Sequence, residues 1–312
     1  MNTRESLPGR WADLRFTPAE ETVGLGPALG WLAGALASGG PVAHWPHLGY
    51  LLLSLLLVGS AWGRLWTLVS DVASPVRPAR TQQPLEEVPP ALPYTEPGSL
   101  SARFSNALAW LWFRLQHLFR VRGDRWVEAL GLLAVLLVVA SLWGSEAFVA
   151  AWIGVALLVL RFLARGRPLA LALLRVFAGL AWPWWIGHVA WASLTPPSLL
   201  LSILWGLAYA GWADLVAERT GSDPFGRPIF RPVEPNVGAL LAAGLAQGGV
   251  ILYLLLSGEA LVGGVLVLLL LGQVLQEVAL ARAGRWEEIA RRVWPLAAGG
   301  ILLSGLALGG WL

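Results

Sequence analysis

Two carboxylates four residues apart, Asp214 and Glu218, are the residues in this chain whose types and spacing best suit metal chemistry. At this spacing, two side chains share one face of a helix. Carboxylate oxygens are the ligands that Mg²⁺ prefers, and a protein-bound Mg²⁺ commonly also contacts a substrate phosphate. The spacing therefore predicts a Mg²⁺–phosphate site. The alternative is a structural ion pair next to a solvated helix end.

Arg175 is the candidate phosphate ligand that accompanies these carboxylates. It lies inside a long apolar stretch, about two turns of helix from the charged start of that stretch. A guanidinium offers two parallel N–H donors to a phosphate, and a charge within hydrocarbon usually has a functional role. We expect Arg175 either to bind phosphate or to pair with Asp214.

The elements that hold these residues belong to a membrane, because the composition cannot supply a water-facing surface. The chain has 312 residues, of which 56% are hydrophobic and 13% are charged, whereas soluble domains carry about 25% charged residues. These values exclude a soluble enzyme, a disordered chain and a secreted domain. The chain has no Cys and four scattered His, which excludes disulfides and thiolate chemistry and disfavours a His-based metal centre.

Apolar stretches of roughly 20 residues, the length of a membrane span, recur along the chain. We predict an all-α, polytopic transmembrane helical bundle with about nine spans. The pair Pro196-Pro197 divides one uncharged stretch into two spans, since it breaks a helix. The predicted spans lie near 24–41, 48–69, 126–144, 147–163, 169–190, 198–216, 236–256, 260–280 and 294–312.

The distribution of arginine predicts the orientation. All 22 basic residues are Arg, and with the N-terminus inside, none lies in the predicted outer connections. This pattern follows the positive-inside rule, so we predict a cytoplasmic N-terminus and an outer C-terminus. In such a protein, Arg indicates anchoring of spans rather than binding of nucleic acid. We predict a multi-pass protein of a prokaryotic inner (cytoplasmic) membrane.

Outside the spans, we predict a cytoplasmic segment over 1–23, followed by a single transmembrane domain over 24–312. A long inner loop covers 71–125 and starts with a Pro-rich stretch. Within that loop, residues 99–121 have the spacing of an amphipathic helix that lies in the inner membrane interface. A second amphipathic segment, 282–292, precedes the last span.

Small and polar residues predict how the spans pack. Glycines at intervals of four allow helix backbones to approach closely in lipid, and we expect this packing within the chain. We expect the tryptophans to anchor the membrane interface and the segment 182–185 to kink the fifth span. His188 is predicted to be a capped interfacial residue, and Gln247 to form a hydrogen bond between helices. The glycine runs are Gly26, Gly30 and Gly34, then Gly244 and Gly248, then Gly305 and Gly309.

This layout resembles that of UbiA-type prenyltransferases, which transfer a prenyl chain from its diphosphate to an aromatic or related acceptor within the membrane. The segment from Ser70 to Pro78 contains Asp71 and ends in a Pro-x-Arg-Pro stretch, similar to the first acidic motif of that family, although the later aspartates of the motif are absent. Asp214, Glu218 and the glycine that follows are similar to the second motif.

The resemblance implies a ligand set. Asp71, Asp214 and Glu218 would hold Mg²⁺, and Arg64, Arg77 and Arg175 would contact the diphosphate. Metal or arginine charge is needed there, because the leaving diphosphate gains negative charge as the prenyl group departs. The implied partner is an isoprenoid lipid. The hypothesis includes a chain that binds the prenyl diphosphate after losing catalysis.

Another class of function stays open beside this one. The chain is alternatively a non-enzymatic accessory or scaffold subunit of a membrane complex, binding lipid, quinone or pigment tails. The missing aspartates and the many tryptophans favour this alternative. A transporter is less favoured, because nine spans do not divide into equal inverted repeats. A faint resemblance of 214–226 to CDP-alcohol phosphatidyltransferases lacks the further aspartates of that family.

Overall fold

The structure, a computed structural model, describes residues 26–40, 61–73, 126–164, 168–217, 237–282 and 286–312. All regular elements in these ranges are helical, as predicted. In chain order they are α1 (Gly26–Ala37), α2 (Trp62–Ala73), α3 (Trp126–Trp143), α4 (Ser145–Leu163), α5 (Pro168–Val176), a π-helical segment (Phe177–Ala181), α6 (Trp182–Val189), α7 (Pro196–Ala217), α8 (Val237–Leu256), α9 (Ala260–Arg282) and α10 (Trp286–Leu308).

Within the part of the chain that the structure describes, four helical stretches are long and apolar enough to cross a membrane. They are Trp126–Trp143, Ser145–Leu163, Ala170–Val189 and Ala260–Arg282, of which the third runs through α5, the π segment and α6. Every predicted span overlaps a described helix, while the number of spans and their orientation stay predictions. Along α9, Leu261, Leu268 and Leu275 recur at every seventh residue and are 76%, 68% and 70% exposed. So apolar an outer stripe suits hydrocarbon rather than water.

Two helix boundaries coincide with a glycine or a proline in the sequence. A single residue, Gly144, separates α3 from α4, and its φ of 114° is a conformation that glycine adopts without the steric cost of a Cβ. The break between the fifth and sixth predicted spans also lies where expected, since α7 begins at Pro196. The interfacial helix predicted over 99–121 lies outside the described residues.

The second amphipathic segment is not a separate element in its described part. Residues 286–292 form the first turns of α10, which continues through Pro295 to Leu308. The amphipathic segment is therefore continuous with the last span in its described part. Pro295 lies inside α10 and does not end the helix, although proline removes one backbone donor from it.

The π segment of the fifth span has a sequence cause. In an α-helix, the amide of residue 183 would bond to the carbonyl of residue 179, but Pro183 has no N–H and its ring collides with that carbonyl. The backbone widens, and the amide of Trp182 bonds to the Phe177 carbonyl, five residues back as in a π-helix. The Ala178 carbonyl would then need the missing amide of Pro183. The indole N–H of Trp62 donates to it instead, at 2.7 Å.

Glycines let α1 occupy the centre of the bundle, with α6 on one side and α10 on another. A Cβ on Gly34 would collide with the Trp184 carbonyl oxygen, and one on Gly305 would lie 2.6 Å from the Ala33 carbonyl oxygen. The predicted close approach is confirmed for the first and last glycine runs. For the run in α8, no described atom lies within 4 Å of either Cβ position, so close packing of that run stays a prediction.

Half of the tryptophans whose side chains the structure describes are buried between helices, and their anchoring of the membrane interface stays a prediction. Among those whose side chains the structure describes, only Trp152 is exposed. A buried indole N–H needs a partner where no water is at hand. Six of them find one on another segment: Trp62 on the Ala178 carbonyl, Trp182 on the Ala150 carbonyl, Trp184 on Ser198, Trp185 on Ser202, Trp205 on Ser304 and Trp311 on the Leu36 carbonyl.

The buried side chains form two clusters. One includes Trp31, Trp62 and Trp182 and joins α1 to α2, α4 and α6. The other includes Trp205 and Tyr209 and joins α7 to α8, α9 and α10. Residues of α1 and α6 belong to both clusters, so these two central helices connect the two halves of the described bundle.

Candidate functional site

The predicted carboxylates lie at the ends of two described helices or outside the described residues. Asp71 is in the last turn of α2, and Asp214 is in the last turn of α7. Their side chains, and Glu218 and Arg77 as a whole, lie outside what the structure describes. Among the described side chains, no group of three or more His, Asp or Glu could hold a metal ion. The Mg²⁺ site of Asp71, Asp214 and Glu218 therefore stays a prediction.

The other predicted ligands lie toward one end of the bundle. Antiparallel connections bring the end of α4, the start of α5 and the end of α7 to the same side. We call this side the arginine end, because Arg64, Arg161 and Arg175 lie toward it. It is the side that the distribution of arginine predicts to be cytoplasmic.

Arg64 forms a two-point contact with Glu128 on α3. Its Nε donates to one carboxylate oxygen at 2.8 Å, and its Nη2 donates to the other at 3.3 Å. The Arg64 and Glu128 side chains are 58% and 35% exposed, so the pair contributes about 0–1 kcal/mol to stability. An exposed pair of this kind ties α2 to α3, and a phosphate would have to share Arg64 with Glu128.

Arg175 lies beside a second arginine, Arg161 near the end of α4. Their charges interact with each other, and Arg175 also interacts electrostatically with Tyr209 on α7. The guanidinium carbon of Arg161 lies 5.5 Å from the centre of the Trp66 ring, within the range of a cation–π contact. Both arginines are half-buried. The fold thus collects positive charge from α4 and α5 in a partly desolvated place.

The aromatic ring of Tyr209 lies near Arg175. Its ring fills the space that a Cβ on Gly26 or Gly179 would need, so α1 and the π segment both depend on glycine there. The Trp294 ring lies 5.7 Å from Tyr209 and 6.1 Å from Trp212, edge to face in both cases. Tyr209 precedes Asp214 by five residues, or about 7.5 Å along α7.

At the opposite end, His188 belongs to a closed hydrogen-bond network. Its Nε2 lies 3.1 Å from the Ser193 carbonyl oxygen, and its Nδ1 lies 3.2 Å from Ser198 Oγ. In the tautomer with the proton on Nε2, this nitrogen donates to the Ser193 carbonyl and the Ser198 hydroxyl donates to Nδ1. The Gly34 carbonyl is a further backbone acceptor at the ring, and Trp184 donates to the Ser198 hydroxyl at 2.8 Å. The histidine is capped, as predicted, and its side chain is buried; its position at the membrane interface stays a prediction.

Sequence reasoning missed some residues at the arginine end. Arg161, Trp66 and Tyr209 were not among the predicted ligands. A signal for Tyr209 was present, because it is a polar-tipped residue inside an uncharged span, one and a half turns before Asp214. The contact between Arg161 and Trp66 has no local signal, since it joins residues 95 positions apart.

The chain was compared with protein-family models, with curated proteins and with solved structures, and nothing matches it in any of the three comparisons.

Proposed function

We propose that this chain is a multi-pass membrane protein of the prenyltransferase type, which binds a prenyl diphosphate at the arginine end and transfers its prenyl group to an acceptor in the membrane. The observation that carries the proposal is the meeting of Arg161 and Arg175 beside Tyr209, on the same side of the bundle as Asp214. The arginine end faces the cytoplasm, and the membrane is a prokaryotic inner membrane.

Electrostatics favours an anion at this place. Arg161 and Arg175 are half-buried, and two like charges repel more strongly where water is partly excluded. A diphosphate between or beside them replaces that repulsion with attraction and accepts charge-assisted hydrogen bonds. A neutral lipid head group offers neither effect, so the charge pattern favours an anionic lipid.

The lipid tail has an apolar surface within reach. A groove of about 290 Å³ lies between α4 and α6, lined largely by Val149, Ile153, Trp185 and Val189. Ile153 precedes Arg161 by eight residues, or about 12 Å along α4. A head group held at Arg161 therefore leaves its isoprenoid chain free to extend along α4 toward this groove, where burial of apolar surface adds to affinity.

Transfer needs more than binding, and the acidic residues supply the rest of the proposal. Asp71, Asp214 and Glu218 would hold the Mg²⁺, whose positive charge would stabilise the diphosphate leaving group. Arg175, assisted by Arg64 and Arg77, binds the phosphate oxygens and adds positive charge beside them.

Equilibrium binding of geranylgeranyl diphosphate to the protein in nanodiscs tests the proposal. Replacing Arg175 or Arg161 by Gln removes a charge-assisted contact worth about 1.5–3 kcal/mol, so we expect affinity to fall about 10- to 100-fold. The matched control is Arg282→Gln, which removes an exposed arginine from the last turn of α9. Its affinity should stay within about twofold of the wild type, because exposed charges are screened.

The same assay with and without Mg²⁺ separates binding from transfer. Mg²⁺-dependent binding that is lost in Asp214→Asn/Glu218→Gln, together with release of diphosphate, supports the transferase. Arginine-dependent binding without diphosphate release supports a protein that binds the lipid without turning it over. Binding that is undetectable, or equal in Arg175→Gln, Arg161→Gln and Arg282→Gln, refutes the proposed site.

The accessory-subunit alternative stays open beside this proposal. The binding experiment also tests this alternative. If geranylgeranyl diphosphate does not bind, the next measurement is whether partner subunits copurify with the protein.

A further inference from the structure

A row of three polar side chains crosses the interface between α8 and α9. Gln247 Nε2 on α8 donates to Gln273 Oε1 on α9 at 3.0 Å, and Gln273 Nε2 donates to Glu277 Oε1 at 3.1 Å. The hydrogen bond between helices that was predicted for Gln247 is thereby confirmed. Gln247 and Gln273 are buried, at 4% and 3% exposure, and Glu277 is partly exposed.

The Glu277 carboxylate determines the direction of the hydrogen bonds in this row of side chains. An ionised carboxylate can only accept hydrogen bonds, so the amide N–H₂ of Gln273 faces Glu277 and its oxygen faces Gln247. Gln247 must then present its own N–H₂ to Gln273. Its oxygen Oε1 remains at the far end, and it has no hydrogen-bond partner among the described residues. A buried acceptor left unpaired costs about 1–3 kcal/mol.

A niche lies beside Gln247, between α8, α9 and α10. Its cavity volume is about 10 Å³, counted as the space that the centre of a water molecule can occupy. This volume is close to the minimum for one water or one hydroxyl group. Trp205 lines the niche, but its N–H already donates to Ser304. Most of the remaining lining is apolar, so the missing donor must come with a ligand.

The niche also has an opening toward the outside of the bundle. Gln247, Gln273 and Trp205 are buried, whereas Leu269, Leu270 and Leu296 at the rim are partly exposed. Next to the rim, Leu268 and Leu271 are 68% and 54% exposed. A hydroxyl group placed at Gln247 can therefore carry a hydrocarbon chain that leaves over leucine side chains into the lipid.

We propose that the niche beside Gln247 is a binding site for one hydroxyl group, which donates its hydrogen bond to Gln247 Oε1. The hydroxyl belongs either to a long-chain alcohol of the membrane or to a single buried water. Both sources share the same chemistry at Gln247, and they differ in whether a hydrocarbon chain lies across the rim.

Photo-crosslinking tests the lipid source. Wild-type protein in nanodiscs is labelled with hexadecanol that carries a diazirine near its hydroxyl, or with the methyl ether of the same probe, which cannot donate a hydrogen bond. We expect the alcohol to label peptides around Leu269 and Leu296 about five- to tenfold more than the ether. The substitution Gln247→Met, close in volume, should remove this preference, whereas Gln276→Met at an exposed position of α9 should not.

Hydroxyl-radical footprinting by X-ray radiolysis tests the water source, because ordered water promotes oxidation of the side chains next to it. If water fills the niche, Leu266 and Ile251 should be oxidised in the wild type and protected in Gln247→Met. Either an alcohol-selective label or a Gln247-dependent footprint supports the site and identifies its occupant. Labelling indifferent to the hydroxyl, together with oxidation that does not depend on Gln247, overturns the proposal. The alcohol–ether comparison needs no variant and stands if Gln247→Met fails to fold.

Discussion

The bond from Trp62 to the Ala178 carbonyl offers a quantitative test of the π segment. Trp62 is fully buried, and its ring stacks on Trp182 with the ring centres 3.9 Å apart. In Trp62→Phe, the Ala178 carbonyl loses the donor that replaces the missing amide of Pro183. The substitution lowers the free energy of unfolding in two ways. It removes packing of the indole ring, and it leaves the buried Ala178 carbonyl without a partner, which costs about 1–2 kcal/mol.

Trp182→Phe is the matched control. Trp182 is also fully buried, and its indole N–H donates to the Ala150 carbonyl at 2.6 Å. Ala150 lies inside the regular helix α4, where the amide four residues later serves its carbonyl. Both variants lose the same ring atoms, but only Trp62→Phe leaves a carbonyl unserved. At about 2–4 °C per kcal/mol, an extra cost of about 1.5 kcal/mol predicts a Tm about 3–6 °C below that of Trp182→Phe.

Circular dichroism during thermal unfolding in nanodiscs measures this difference, and a double-mutant cycle identifies its cause. Pro183→Ala restores a backbone N–H that can serve the Ala178 carbonyl. Trp62→Phe should therefore cost less in the Pro183→Ala background than in the wild type, by about 1 kcal/mol of coupling. Equal Tm losses for Trp62→Phe and Trp182→Phe, with no coupling to Pro183, would refute the account of the π segment.

Two further predictions use pairs of sites that differ in one respect. Gly34→Ala should lower the free energy of unfolding by about 3 kcal/mol or prevent folding, because the new Cβ collides with the Trp184 carbonyl oxygen. Gly244→Ala is the control and should be neutral or slightly stabilising, because no described atom lies within 4 Å of its Cβ position. Equal effects on Tm would contradict the central position of α1. Ser198→Ala should cost about 1–3 kcal/mol, since it removes the acceptor of Trp184 Nε1 and one hydrogen-bond partner of His188. Ser141→Ala, at an exposed position of α3, should change Tm by less than about 1 °C.

The existence of the helices was predictable, because it depends on local properties that the sequence displays directly. Long apolar stretches can satisfy their backbone polar groups in lipid only by forming helices, and Pro196 and Gly144 mark where two helices begin or break. Gln247 was also predictable as a partner of another helix, since an amide deep in an apolar span needs one. These inferences require no knowledge of which helices are neighbours.

The contacts at the arginine end were not predictable, because they depend on which helices pack together. Arg64 is bonded to Glu128 on α3, and the sequence has no pattern that pairs these residues. Arg161 lies against Trp66 and near Arg175 for the same reason. The hydrogen bonds of the tryptophans were not predictable either. Interfacial enrichment is a statistical tendency, and it does not indicate which carbonyl or hydroxyl an indole N–H contacts inside the bundle.

Buried polar atoms that lack a partner connect the two proposals. Among the described residues, Gln247 Oε1, Trp31 Nε1 and Trp212 Nε1 are buried and have no hydrogen-bond partner. Gln247 lies at the hydroxyl niche, and Trp212 packs on Trp294 next to Tyr209, near the arginine end. An unpaired buried polar atom is costly, so a ligand that paired Gln247 or Trp212 would stabilise the bundle. Residues of α7 to α10 line the niche, whereas Arg161 and Arg175 lie on α4 and α5. Gln247→Met alters neither arginine nor the helices that carry them, so we expect it to abolish hydroxyl binding and to leave diphosphate binding unchanged.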